Sequence, residues 1–405
     1  MTTKSRLQAS DLRGVSRLTI EGIAGIVDMV EAMHCHIASV PGLRARSDRS
    51  RTSGITGLVY RSIRGVVRLA GLGVDGALAG LGPLLGERST WRGRETLLAA
   101  LNGVVGDHLA ASGNPLAITM RLRRNGIALP DGRAALAAAA PKATGKLVVL
   151  MHGLCMNDLQ WKRDGHDHGA ALARDLAYTP VYLHYNSGLH VSTNGRALAD
   201  LLESLVQRWP VPVTELTLIG HSMGGLVARS ACHHGELLRH AWLRRLDRLV
   251  FVGTPHHGAP LERGGNWVDT LLGSNAYSAP LARLGKIRSA GITDLRFGNL
   301  VDEDWNGRDR FEHGGDLRVP VPLPEGVACY AIAATTGKAG SNLGDRLIGD
   351  GIVPLASALG RHPDPRLAVA FDPSRQWVAR GTGHLDLLGR PEVYDRLRRW
   401  LAAPG

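Results

Sequence analysis

Apolar residues recur at helical spacing from Leu12 through Val15, Leu18, Ile26, Met29 and Met33 to Ile37, then from Ile55 to Leu81, and again from about Trp91 to Ala111. Asp11 stands where a helix N-cap would, and Pro41-Gly42 closes the first run. Three amphipathic helices in a row predict a helical N-terminal extension over residues 1–115. Beyond it the period changes. Ala117 to Leu122 alternates as a strand does, Asn125-Gly126 predicts a hairpin turn, and Ile127 to Leu129 the return strand. Leu147 to Met151 is an unbroken apolar run suited to a central parallel strand, and similar runs cover 180–185, 216–220, 249–253, 327–334 and 376–379. Helical stretches at 170–177, 195–208 and 225–234 fall between them. This alternation predicts an α/β domain over 116–405, built on a doubly wound, mainly parallel sheet. A Pro/Gly-rich segment at about 259–324 interrupts the rhythm and reads as an insertion.

Composition narrows the classes. At 405 residues and 44% hydrophobic content the chain can bury one large core and carry an added segment. The net charge of +12 is almost all arginine. A basic surface attracts phosphates, yet no zinc-finger, RNA-recognition or basic-zipper signature accompanies it, so no nucleic-acid partner is expected. Cys35, Cys155, Cys232 and Cys329 are scattered without a CxxC pair, as buried small hydrophobes are, which fits a reducing compartment. No secretory signal and no membrane span is read, since Arg68, Asp75 and Pro83 break the nearest approach, Gly65 to Leu85. The expected location is cytoplasmic, with peripheral membrane or lipid-aggregate contact through the basic N-terminal helices as a further expectation.

Candidate chemistry centres on Gly220-His221-Ser222-Met223-Gly224. The apolar strand 216–219 precedes this pentapeptide and a helical pattern from Leu226 follows it. A strand-to-helix elbow would hold Ser222 in strained geometry with its hydroxyl above the sheet and the helix N-terminus beside it. Such a serine needs a base, and the base an orienting carboxylate.

The motif Gly-His-Ser-Met-Gly-Gly resembles the nucleophile elbow of the α/β-hydrolase superfamily, in particular that of bacterial lipases and the GPI-inositol-deacylase-like hydrolases. His152-Gly153-Leu154 is similar to their oxyanion loop, and Gly253-Thr254-Pro255-His256-His257-Gly258 to a stretch found after the next strand. The resemblance covers roughly 116–400 and implies an α/β-hydrolase fold with a lid at the insertion. It also implies backbone oxyanion donors at Leu154 and Met223, an acid at Asp350 in Gly-Asp-Gly-Ile-Val-Pro, and a base at His384 in Gly-His-Leu-Asp. Asp345, Asp302, Glu303 and Asp304 are the rival acids. Some bacterial lipases bind calcium through an aspartate at the position of Asp386. The residues after it offer no obvious ligand, so Asp386 is expected to cap the final helix, and no metal or cofactor is expected. The implied activity is cleavage of carboxylic, hydrophobic esters through a Ser-His-Asp triad. Acyltransferase, thioesterase and lipid-linked-sugar deacylase chemistry share that machinery, and a non-catalytic lipid- or protein-binding module is the remaining alternative.

Overall fold

The structure is a computed structural model and describes residues 14–15, 17–18, 92–259, 288–310, 315–337 and 349–403. The first two expected helices, Cys35, Asp345 and residues 260–287 and 311–314 of the 259–324 insertion lie outside the described residues, apart from short helical pieces at 14–15 and 17–18.

Eight strands form one sheet: β1 (Arg121–Arg124), β2 (Ile127–Ala128), β3 (Lys146–Met151), β4 (Thr179–His184), β5 (Glu215–His221), β6 (Leu246–Val252), β7 (Ala328–Thr335) and β8 (Gln376–Arg380), in the order β2-β1-β4-β3-β5-β6-β7-β8. β1 runs antiparallel to β2 and β4, and every pairing from β4 to β8 is parallel. Asn125 (φ 53°) and Gly126 (φ 77°) adopt the left-handed conformations that a two-residue hairpin turn demands. β1 is shorter than the alternation from Ala117 predicts. Leu116 N–H and Ile118 N–H donate to the side chains of Asn114 and Asn102, so this stretch finds its acceptors off the sheet.

Helices cover both faces. They are α1 (Arg92–Ala111), α2 (Arg133–Ala139), α3 (His168–Leu176), α4 (Val191–Arg208), α5 (Met223–Leu237), α6 (Ala290–Asp294), α7 (Leu355–Ala358) and α8 (Pro391–Ala402). One core joins Val148, Leu150, Ile219, Val250 and Ile332 of the strands to Leu172 of α3 and to Val393, Leu397 and Leu401 of α8. The alternate positions Leu147, Val149, Leu218, Leu249 and Phe251 are equally buried on the other face. Two-sided burial explains why these strands read as continuous apolar runs. Cys155, Cys232 and Cys329 are free and buried, and burial pushes the Cys155 and Cys329 thiols up to about 12. Among the described residues no helix is long and apolar enough to cross a membrane.

Contacts divide the chain into two compact units, residues 1–92 with 109–117, and residues 93–108 with 118–405. The expected boundary near 116 does not coincide with this division, because most of α1 belongs with the sheet. Gly103 abuts the Cys155 backbone, Asn186 Nδ2 donates to Gly106 O at 2.9 Å, and Ser289 Oγ to Gly103 O at 2.6 Å. Within the first unit, Asn114 Nδ2 donates to Gly14 O at 3.0 Å.

Candidate active site

Every sequence-predicted site residue sits just beyond the carboxyl end of a parallel strand: Leu154 after β3, Ser222 after β5, Asp350 after β7 and His384 after β8. Open α/β sheets place ligands at this edge, where helix N-termini and loops converge.

Ser222 joins β5 directly to α5 with φ 53° and ψ −125°, a conformation that costs a non-glycine residue of order 1–3 kcal/mol. Its neighbours hold it there. Ser222 N–H donates to Val252 O at 2.8 Å, and Gly225 N–H returns to Ser222 O at 3.0 Å. A Cβ on Gly224 would meet Met151 O at 2.5 Å and His152 O at 2.6 Å, so only glycine lets the first turn of α5 pass the end of β3.

Met223 is the first residue of α5, where N–H groups have no intrahelical acceptor. Neither Met223 N–H nor Leu154 N–H donates to another described residue. Gly153 lies against Ser222, for a Cβ there would be 3.0 Å from the serine Cβ. The Gly153–Leu154 peptide is fixed from behind. Tyr185 N–H donates to His152 Nε2 (3.4 Å), which leaves the His152 proton on Nδ1, and Nδ1–H donates to Gly153 O (2.9 Å). Tyr185 also stacks on the His152 ring at 4.3 Å, and its hydroxyl donates to His152 O. Burial lowers the His152 pKa to about 3, so the imidazole is neutral.

Asp350 divides its two carboxylate oxygens. Oδ1 accepts from Ile352 N–H (3.0 Å) and Val353 N–H (2.8 Å), and Oδ2 lies 2.7 Å from His384 Nδ1. His384 N–H also donates to Asp350 O at 3.1 Å. With its proton on Nδ1, His384 presents a bare Nε2, buried and without a hydrogen-bond partner among the described residues. Thr336 N–H donates to Gly349 O at 2.9 Å, which ties the end of β7 to the residue before Asp350.

Ser222 and His384 each lie against the same corner of β6, and no hydrogen bond joins Ser222 to His384 Nε2. Ser222 is tied to Val252, and a Cβ on the next residue, Gly253, would stand 3.2 Å from His384 Cε1. The rings of His221 and His384 are 4.7 Å apart. Ser222, Asp350 and His384 are all buried, with 6%, 3% and 3% of their surface exposed.

Two of the rival acids, Asp302 and Asp304, are engaged elsewhere. Asp302 bonds Ser192 and Arg196, and Asp304 accepts from the backbone of Leu300, Val301 and Val319. The expectation for Asp386 is corrected. Its Oδ2 accepts from Gly383 N–H within the His384 turn, while Arg390 stands at the N-cap of α8 with no side-chain cap. His256 is buried against Phe251 and Phe371 with neither ring nitrogen partnered among the described residues, and burial drives its pKa well below the usual value. Two features went unseen in the sequence. One is a buried set in which Arg123 joins Glu95 (2.8 Å) and Asp158 (3.2 Å), with His184 3.3 Å from Asp158. The other is Asp294, which accepts from Val191 N–H and Asn299 Nδ2 and lies 3.1 Å from His190 Nδ1.

Sheet order, strand directions and the β5–Ser222–α5 elbow define an α/β-hydrolase fold. Residues 142–314 match the family described as the PGAP1-like alpha/beta domain. Solved structures similar to the chain include the mature lipase BlEst2 of Bacillus licheniformis (17% identity, TM-score 0.41, 64% of this chain and 92% of that one). Others are EstA of Clostridium botulinum (13%, TM-score 0.38, 69% and 88%) and the esterase Pf2001 of Pyrococcus furiosus (14%, TM-score 0.37, 64% and 82%). No curated protein matches the sequence.

Proposed function

We propose that the protein is a serine hydrolase of carboxylic esters, acting on acyl-lipid or other hydrophobic esters. The observation that carries the reading is the buried Asp350–His384 pair, 2.7 Å apart, set at the same corner as a serine held at positive φ. His384 Nε2 takes the Ser222 proton as Oγ attacks the ester carbonyl carbon, and Asp350 stabilises the imidazolium that forms. The carbonyl oxygen becomes an oxyanion received by the N–H groups of Leu154 and Met223, each worth ~2.7–4 kcal/mol of transition-state stabilisation. His384 then returns the proton to the leaving alcohol. Water, deprotonated by the same imidazole, attacks the acyl-enzyme carbonyl and releases the acid and free Ser222.

Nitrophenyl esters of graded acyl length test this reading. Turnover by the wild-type chain that is abolished in Ser222→Ala supports it, and turnover that survives the substitution unchanged removes it. Competing alcohols and thioesters in the same assay separate hydrolysis from acyl transfer and thioester cleavage. The basic N-terminal segment is proposed to hold the enzyme at an anionic lipid surface, with the 259–324 insertion as a lid. Flotation of the full chain with anionic and with neutral liposomes is the test, and equal recovery in the two would remove the surface role.

A further inference from the structure

His384 is the N-cap of a short 3-10 turn, Leu385–Leu388, and that turn hangs from two other buried histidines. At one end His221 Nε2 is 3.2 Å from the His384 carbonyl. At the other, His168 Nε2 is 2.9 Å from the Leu387 carbonyl. A carbonyl only accepts, so each imidazole donates from Nε2. The remaining nitrogens follow. His168 Nδ1 accepts from His166 Nε2–H at 2.8 Å, and His221 Nδ1 has no partner among the described residues.

Both rings are completely enclosed. Burial lowers the His168 pKa to about 4, and burial together with the neighbouring His384 drives His221 well below its usual value, so both are neutral near pH 7. Their surroundings are aromatic, with Trp161 edge-on to each at 6.3 Å and Tyr394 stacked on His168 at 6.1 Å. Leucine or phenylalanine would occupy such space without the cost of burying a polar ring. What the histidines add is one hydrogen bond each to the segment that bears the base. The two donors come from different elements, His221 from the end of β5 and His168 from the start of α3. Together with the His384 N–H bond to Asp350 O, they fix the main chain of the turn at three points.

We propose that His221 and His168 are positioning residues for His384, setting the place of its imidazole relative to Ser222; this rests on the hydrolase reading above. Neither touches the substrate. Their effect is on alignment, and a misplacement near 1 Å in a reacting group costs up to ~100-fold in rate.

The experiment compares His221→Leu and His168→Leu with His221→Gln and His168→Gln, in the full chain, on a nitrophenyl ester. Active sites are counted by fluorophosphonate titration so that turnover is expressed per competent serine. The leucine variants are expected to lose kcat by ~10- to 100-fold per titrated site with KM little changed. Glutamine, whose amide can donate from nearly the place of Nε2, is expected to recover most of that loss. A merely structural role would lower the number of titratable sites and leave the turnover of each intact. A leucine variant with wild-type kcat per site overturns the assignment for its residue, and so does a glutamine variant as slow as leucine. Where a leucine variant does not fold, asparagine replaces it: too short to reach the carbonyl, it is expected to be slow where glutamine is fast, and equal rates overturn the assignment. Loss of the underlying reading has a different signature, activity that persists in Ser222→Ala or His384→Ala.

Discussion

Asp350 Oδ2 stands 2.7 Å from His384 Nδ1, and the same aspartate's main-chain oxygen accepts from the His384 N–H. One residue thereby fixes both the tautomer of the imidazole and the backbone that carries it. Asp350→Asn keeps the shape, but its amide can present an N–H to Nδ1 and so favour the wrong tautomer. The expected result is a fall in kcat of about 10⁴-fold with KM nearly unchanged, as is typical of such a substitution in a Ser-His-Asp triad. Steady-state kinetics on a short-chain nitrophenyl ester measure it, and a loss under tenfold would contradict the assignment of Asp350.

Acid should weaken the fold in a defined window. His152 and His168 have folded pKa values of about 3 and about 4 against a usual value of 6.5, because burial disfavours their charged forms. Below pH 6.5 the unfolded chain binds protons that the folded chain refuses. Stability therefore falls as pH drops from 6.5 toward 4. Replacing His168 by Gln removes one such proton and should flatten the slope by up to about 1.4 kcal/mol per pH unit. Urea unfolding at a series of pH values would show it; identical slopes in the two proteins would count against a buried, neutral His168.

Gly224→Ala places a methyl group 2.5 Å from Met151 O and 2.6 Å from His152 O. Backbone cannot yield there without moving the loop His152–Leu154. The substitution should destabilise the protein by roughly 1–3 kcal/mol through overpacking, and should also slow fluorophosphonate labelling of Ser222. Calorimetry and labelling rate are the two readouts, and an unchanged labelling rate would mean that the elbow and the loop are not coupled.

Asp158 sits beside Arg123 and His184 with its side chain almost wholly enclosed. Asp158→Ala leaves Arg123 with Glu95 alone and should cost about 3 kcal/mol, the lower end for breaking a buried ion pair. Denaturant melts of the single variant and of Asp158→Leu with Arg123→Leu separate charge from packing. The double variant should be the more stable of the two.

The parts of this molecule that could be read from its sequence are those whose causes are local. Leu147 to Met151 announces a strand buried on both faces, and the pentapeptide around Ser222 announces its elbow because strand, glycines and helix start are contiguous. Asp350 and His384 were reached only through likeness to known hydrolases, since nothing near either residue states that they meet. The two histidines on the His384 turn show the limit more sharply. His168 and Leu387 are far apart in the chain, and no spacing rule connects an imidazole at the start of α3 with a carbonyl in a 3-10 turn. The packing of α1 is also illegible. Its amphipathic pattern says that one face is buried, and says nothing of Gly103 lying against Cys155.

The bond between Thr336 N–H and Gly349 O ties the end of β7 to the residue that precedes Asp350. β7 lies beside β8, and β8 leads to the His384 turn. A slip of either strand along the other would change the distance from Asp350 to His384, so the register of the two strands serves as the ruler of that pair.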